Sequence, residues 1–541
     1  MVPHDSDLVL IGAMRHSCIR WSEARGGCRR RGAVLVREEL MRVRGIIVAL
    51  TFCVAAPILI GAESTTDSAR SEVRLQLAEL LYGDQRYWEA LSAYENAKQG
   101  ARNDQLLRAS SGLLKSLLHI AEFSRAQQEA DFLYSLDPVE PEYRALYADA
   151  LWAFGLFEEA EQVYQEVLAR SPDSAMARHG LGRSLAARGR LEEGLVELQA
   201  AVARDPRGEF YHSIGSVHRR MQRYDLAADA FESYVEDLVG TRMDQKIEWA
   251  RSEIRFLRSF GDRIPVYVSP EGLDTVHTIP FRLERDKVIV RGRVNGDEID
   301  LVVDTGAEQM VLSQETAQRV GVRPITNTLS AGVGRVGMRG LELGRADTLE
   351  IGTLRVENVP ALIKNPPLTG LPATRSENSF SPLALGMSAI VDYQHHRMVV
   401  ARELPPGPPA DVELPMRFHR LALVRGVLNG SVQKSFIVDT GGEVISISLS
   451  TANALGMVPV RHIPLRVYGT SGWDDDAFLL PGVNLGFDRI RFDNLAVVVL
   501  NLHRPSALLG FHIGGIIGHM FLGDYRVALD LQDSVLRLSE I

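Results

Sequence analysis

The sequence predicts two architectures on one chain: an all-α helical solenoid, then an all-β domain of two related lobes. Three observations carry this. From about residue 70 to 240, small and large apolar residues recur with a period of 34. Near Gly261 that helical period stops, and short β-branched runs separated by Gly, Pro and Asn take over. The β-rich part then repeats itself, Val290-Arg291-Gly292 returning as Val424-Arg425-Gly426. The chain has 541 residues, 45% of them apolar and 24% charged. That composition excludes a mostly disordered chain, a collagen-like fibre and a multi-span membrane protein. A net charge of −9 argues against a general nucleic-acid binder.

Residues 1–62 read as an N-terminal extension with an export segment. Residues 1–44 hold nine arginines and five acids, and the stretch 45–62 carries no charge. A basic flank, an apolar core and the small pair Gly61-Ala62 form the pattern of a secretory signal peptide, with Met41 as a well-placed start. The rival reading is an uncleaved membrane anchor through 45–62, since such a stretch can just span a bilayer. Either way the expected location is periplasmic or secreted. All three cysteines (Cys18, Cys28, Cys53) precede the expected cut, which leaves the mature chain without disulfide or thiolate chemistry. The cut removes nine basic and five acidic side chains and leaves 51 against 64, a net −13.

Residues 63–262 are expected to be helical repeats. Pro138, Pro172 and Pro206 are 34 apart, as are Ala126, Ala160 and Gly194. Three positions before each small residue stands Phe123, Phe157 or Leu191; four after it stands Ala130, Tyr164 or Leu198. Flanking copies contain Tyr87, Ala90 and Tyr94, and Tyr224, Ala227 and Phe231. A small residue lets two antiparallel helices approach, a large one fills the next groove, and proline ends the second helix. Residues 241–262 read as a terminal capping helix. Trp88, Tyr143, Tyr147 and Trp152 are expected as groove-filling core. This pattern resembles the tetratricopeptide repeat, in about five copies. The resemblance implies a concave surface for a peptide or protein partner; the competing expectation is a rigid spacer.

Residues 263–402 and 411–541 read as two lobes, joined by a Pro-rich linker at 403–410. Asn295-Gly296 recurs as Asn429-Gly430, each the signature of a tight hairpin turn. The run Leu301-Val302-Val303-Asp304-Thr305-Gly306-Ala307 recurs as Phe436-Ile437-Val438-Asp439-Thr440-Gly441-Gly442. Ser313, Ala317 and Gly321 recur as Ser448, Ala452 and Gly456.

An apolar strand entering Asp-Thr-Gly, present twice, resembles the aspartic peptidases, and the short lobes bring it nearer the retropepsin-like branch. The resemblance implies an all-β two-lobed fold in which Asp304 and Asp439 meet as a catalytic pair sharing one proton. Thr305 and Thr440 would bond across the axis, and Gly306 and Gly441 would let the loops turn. Val333-Gly334 and Tyr468-Gly469-Thr470 would lie on flaps over the substrate. The implied activity is endopeptidase cleavage of a protein or peptide substrate by an activated water, with no cofactor and no metal, the repeats recruiting the substrate. The alternative is a catalytically inactive peptide-binding or scaffold protein on the same lobes.

Ala307 and Gly442 stand where pepsin-like members carry a hydroxyl, which is expected to raise the pair's pKa values. The second family signature reads as Ile516-Ile517-Gly518 in lobe two and Ala384-Leu385-Gly386 in lobe one. The stretch from Gly518 to Asp530 is twice as long as that from Gly386 to Asp392, so lobe one is expected to lack a short helix. His395-His396 and Asp474-Asp475-Asp476 read as solvated loops. Glu308 and Glu443 read either as contacts for basic substrate groups or as helix-start residues.

Overall fold

The computed structural model describes residues 56–239, 244–330, 339–364, 378–457, 463–465, 467–469 and 472–541. Most of the expected export segment, 45–55, and all three cysteines lie outside the described residues; from Ala56 the backbone is helical. Among the described residues no helix is long and apolar enough to cross a membrane.

Eleven helices among the described residues build the N-terminal stack: α1 (Ala56–Gly83), α2 (Tyr87–Lys98), α3 (Asp104–His119), α4 (Phe123–Leu136), α5 (Pro141–Ala153), α6 (Phe157–Arg170), α7 (Ala175–Ala187), α8 (Leu191–Arg204), α9 (Gly208–Arg220), α10 (Tyr224–Leu238) and α11 (Asp244–Arg258). Pro138, Pro172 and Pro206 each stand two positions past the end of a helix, where a missing N–H and a ring clash stop the chain from continuing. Ala90, Ala126, Ala160 and Ala227, the small residues of the repeat, are fully buried. The large residues fill notches left by glycine: a Cβ at Gly112, Gly180 or Gly215 would overlap the ring of Tyr94, Tyr164 or Phe231. Trp152 is buried, but Trp88 is 62% exposed, against the expectation that it fills a groove. Its neighbours on the inner face of α2, Ala90, Leu91 and Tyr94, take that place.

The β-rich part holds two lobes around a shared sheet. Six strands run in the order His277–Pro280, Arg397–Ala401, Ser388–Asp392, Tyr525–Asp530, Val535–Glu540, Val412–His419. Each lobe gives three of them, and the seam is the antiparallel pair Ile390 with Ala528 and Val391 with Val527. Asn295 and Gly296 both have positive φ (52° and 90°), so the Lys287–Val294 and Asp297–Val303 strands close in a two-residue hairpin. Asn429 and Gly430 also have positive φ (46° and 74°), but the lobe-two hairpin closes with Leu428 opposite Val432, through the three residues Asn429, Gly430 and Ser431. Ser313 caps the Gln314–Arg319 helix through the Thr316 N–H, and Ser448 caps Leu449–Ala454 through the Thr451 N–H. The repeated serines are thus repeated helix starts.

The stack is not a free-standing spacer. Trp152, Phe157 and Tyr164 share one apolar core with Leu421, Leu423, Phe511 and Ile513 of lobe two. Phe256 and Phe260 at the end of the stack pack with Leu343 of lobe one. Polar contacts frame the first seam. Arg425 binds Glu158 (2.8 Å) and Glu159, Arg417 binds Glu158 (3.1 Å), and the Ser435 hydroxyl donates to the Gly155 carbonyl (2.6 Å).

Candidate active site

In each lobe an apolar strand delivers its aspartate to the point where the lobes meet. The Asp304 N–H donates to the Phe380 carbonyl (2.9 Å) and the Asp439 N–H to the Ile517 carbonyl (3.0 Å), so both loops are anchored alike. Thr305 and Thr440, both buried, lock the loops together. The Thr305 N–H donates to Thr440 Oγ1 (3.2 Å), and the Thr440 N–H donates to Thr305 Oγ1 (3.0 Å). Each hydroxyl then donates to a strand-end carbonyl of the opposite lobe, Thr305 to Val438 and Thr440 to Val303 (both 2.7 Å). Both hydroxyls donate and accept, which makes the clasp directional and dry.

The carboxylates face each other across this clasp. A Cβ on Gly306 would lie 2.6 Å from Asp439 Cγ, and one on Gly441 would lie 2.7 Å from Asp304 Cγ. Glycine is therefore required by close approach, not by an unusual φ. The two side chains hydrogen-bond to each other. Asp439 Oδ1 accepts the N–H groups of Gly441 (2.9 Å) and Gly442 (3.0 Å).

Burial pushes both carboxyls above the ordinary range. For Asp439 the charge of Asp304 adds to burial, and the carboxyl is pushed up to about 7 although two backbone N–H groups favour its ionised form. For Asp304 the field of Lys364 and hydrogen bonds from Asp439 and Ser379 oppose burial. Charge therefore favours Asp304, and the shared proton favours Asp439.

Ser379 is the site residue the sequence reading missed. The strand Asn378–Phe380 runs parallel to Asp297–Val303 with Val302 opposite Ser379. In lobe two, Gly515–Ile517 runs parallel to Val432–Val438 with Ile437 opposite Ile516. Ser379 is thus the counterpart of Ile516. The hydroxyl absent at Ala307 and Gly442 reaches one carboxylate from this other strand. A Ser-Phe-Ser run does not look like two apolar residues and a glycine, so the sequence comparison starts from the wrong place.

That register also corrects the expected shortening of lobe one. The counterpart of Ile516-Ile517-Gly518 is Ser379-Phe380-Ser381, not Ala384-Leu385-Gly386. The stretch from Ser381 to Asp392 is only one position shorter than that from Gly518 to Asp530. The short helix is present in both lobes, as the 3-10 turn Leu383–Leu385 and as His519–Leu522.

The strand Val467–Gly469 pairs with Gly472–Asp474, Tyr468 opposite Trp473, so the backbone of a small hairpin stands where the lobe-two flap was expected. Thr470 lies outside the described residues, as do Val333 and Gly334. The strands flanking the latter, Pro324–Ser330 and Arg339–Ile351, are paired. Glu308 and Glu443 start no helix: each precedes a strand, and Glu308 binds Arg420 at 2.6 Å. His395 bonds to the Asp392 carboxylate (3.0 Å). Asp474 is buried and accepts the Asp476 N–H (3.1 Å), so it is no solvated loop residue. Among the described residues no cluster of His, Cys, Asp and Glu could hold a metal ion.

A cavity of about 1910 Å³ lies between the concave face of the stack and the lobes. Neither aspartate lines it; Glu308, four positions past Asp304, does.

Comparison with known proteins matches the aspartyl protease family twice, at residues 290–389 and 424–521. Tetratricopeptide repeat families match at 113–175 and 151–214. No curated protein matches the chain. Similar solved structures include a thermophilic tetratricopeptide repeat protein of Thermus thermophilus, at 20% identity over 35% of this chain and 98% of that one (TM-score 0.30). The pilus biogenesis factor PilW is similar at 17% identity over 36% and 88% (TM-score 0.28). A further one is YrrB, described as having an unusual peptide-binding site, at 16% over 34% and 93% (TM-score 0.23). The chain thus carries tetratricopeptide repeats followed by a two-lobed β-rich domain that matches the aspartyl protease family once in each lobe.

Proposed function

We propose that this protein is an exported aspartic endopeptidase whose two catalytic carboxyls come from one chain. The observation that carries the reading is the pair Asp304 and Asp439, face to face across the reciprocal threonine clasp. Both residues are half-buried, and the reading requires a water to reach the pair. In the catalytic state the pair holds one proton. Ionised Asp304 takes a proton from the water, and protonated Asp439 polarises the scissile carbonyl. The titration belongs to the pair. The lobe-one helix, whose expected loss favoured an inactive scaffold, is present as the turn Leu383–Leu385. The export part of the reading rests on the basic flank and uncharged stretch 45–62. The stack is proposed to recruit the protein or peptide substrate.

The test is to incubate the purified chain with an unfolded protein and a mixed peptide library from pH 3 to 8, beside Asp304→Asn and Asp439→Asn. Cleavage is expected to fall at least about a thousandfold in either variant. Activity retained in one variant would break the one-chain pair, and no cleavage by the folded wild type at any pH would overturn the peptidase reading.

A further inference from the structure

The cavity between stack and lobes has a sign opposite to that of the molecule. Eight cationic side chains and three carboxylates among the described residues line it, in a chain of net charge −9. Most of the cations are neutralised in place. Lys115, Arg183, Arg207, Arg219 and Arg420 are each ion-paired, with Glu142, Asp149, Asp205, Glu253 and Glu308 in turn.

Arg220 is different. Its guanidinium donates to the Ala186 carbonyl (2.7 Å) and lies over the Phe418 ring (5.2 Å). Among the described residues no carboxylate comes within ion-pairing distance. A desolvated cation without a counter-ion is costly, and burial alone pushes this guanidinium down to about 10. Lys246 lines the same cavity with no carboxylate among the described residues within ion-pairing distance, and the field of Glu209 acts on it. Beside Arg220 stands His419, which burial and then the fields of Arg220 and Arg420 push down to about 3, so the imidazole is neutral and able to donate one hydrogen bond.

We propose that this cavity is a second substrate subsite, formed jointly by the stack and lobe two, in which Arg220 and His419 seat a carboxylate of the peptide being cleaved and Lys246 adds positive charge to the same lining. The assignment rests on the peptidase reading. Glu308 ties the seat to the catalytic loop through Arg420, and the four positions of chain from Asp304 reach at most about 14 Å. The carboxylate comes either from the substrate's own C-terminus or from an Asp or Glu side chain.

The test measures binding apart from cleavage, on the full chain carrying Asp439→Asn, by fluorescence anisotropy at low and physiological salt. The probes are four labelled peptides of one otherwise neutral sequence: a free C-terminal acid, its C-terminal amide, the amide with one internal Asp, and the amide with one internal Lys. The free acid, the Asp peptide or both are expected to bind at least about tenfold tighter than the neutral amide. Whichever does so names the source of the carboxylate. Arg220→Gln and Lys246→Gln should each shrink the preference, and Arg220→Lys should restore most of it, which a folding defect would not do. Equal binding of all four peptides, tightest binding of the Lys peptide, or a preference untouched in both Gln variants would overturn the subsite. A carboxylate preference in a wild-type chain that cuts nothing would leave the subsite standing and remove the peptidase; cleavage indifferent to carboxylates would do the reverse.

Discussion

At the scale of single residues, the dyad's asymmetry has measurable consequences. Ser379 donates to Asp304 and so favours its ionised form. Ser379→Ala removes that bond, raises the pKa that limits activity on the acid side, and should move the acid limb of the pH–rate profile up by about half to one unit. An unmoved limb would show that the hydroxyl is idle. The upper limb belongs to the proton on the pair. Because Asp439 is pushed up to about 7, the rate should fall above about pH 7 as that proton is lost. The same shift carries a stability cost. The folded pair holds its proton in a range where an unfolded aspartate, with its ordinary value near 3.8, has lost it. The folded state thus binds more protons, and its stability declines as pH rises through that window. Asp439→Asn abolishes the charge and should raise the thermal midpoint at pH 8 more than at pH 4. The threonine clasp is mechanical: Thr305→Ala strands the Thr440 N–H and should cost about 2–4 kcal/mol of stability.

At the scale of elements, the two lobes solve one problem with different residues. The element behind each catalytic loop must bring its backbone close under the aspartate. In lobe two only glycine fits: a Cβ on Gly518 would stand 2.6 Å from the Gly442 carbonyl oxygen. In lobe one the equivalent Ser381 is buried and its hydroxyl has no partner among the described residues. Gly518→Ser should therefore destabilise by several kcal/mol, whereas Ser381→Ala should be neutral or stabilise by about 1 kcal/mol, since it deletes an unsatisfied buried oxygen. Denaturant midpoints of the two variants compare these directly; a larger loss for Ser381→Ala would contradict the assigned equivalence.

At the scale of the whole molecule, the stack and lobe two are one folding unit with a common core. Trp152 meets the Phe157 ring (4.7 Å) on its own side and His419 (5.8 Å) on the other. Trp152→Ala should cost about 3–5 kcal/mol, visible in the unfolding of both parts together. A fragment beginning at residue 263 would expose Leu421, Leu423 and Phe511, now buried under the stack. It should aggregate or unfold, and a soluble, folded monomer by gel filtration and circular dichroism would contradict this. The shared core holds the helical stack in fixed relation to lobe two.

Much of this molecule was legible from local pattern because local physics enforces it. A period of 34 needs only helices of repeating shape, so Ala126, Ala160 and Gly194 announced the stack. Repeated Asn-Gly pairs and capping serines announced the hairpins and helix starts, since those jobs are done by the backbone within a few residues. Asp304 and Asp439 stood out because glycine and threonine beside them are demanded by contacts the loop always makes. Tertiary structure alone decided the rest. Ser379 reaches Asp304 through a parallel pairing of strands far apart in sequence, and strand register leaves no mark in a run as ordinary as Ser-Phe-Ser. The docking of the stack on lobe two likewise joins faces remote in sequence, Glu159 to Arg425 among them. An unpaired Arg220 lining a cavity is invisible in a sequence, where every arginine looks alike until folding decides which ones find an acid.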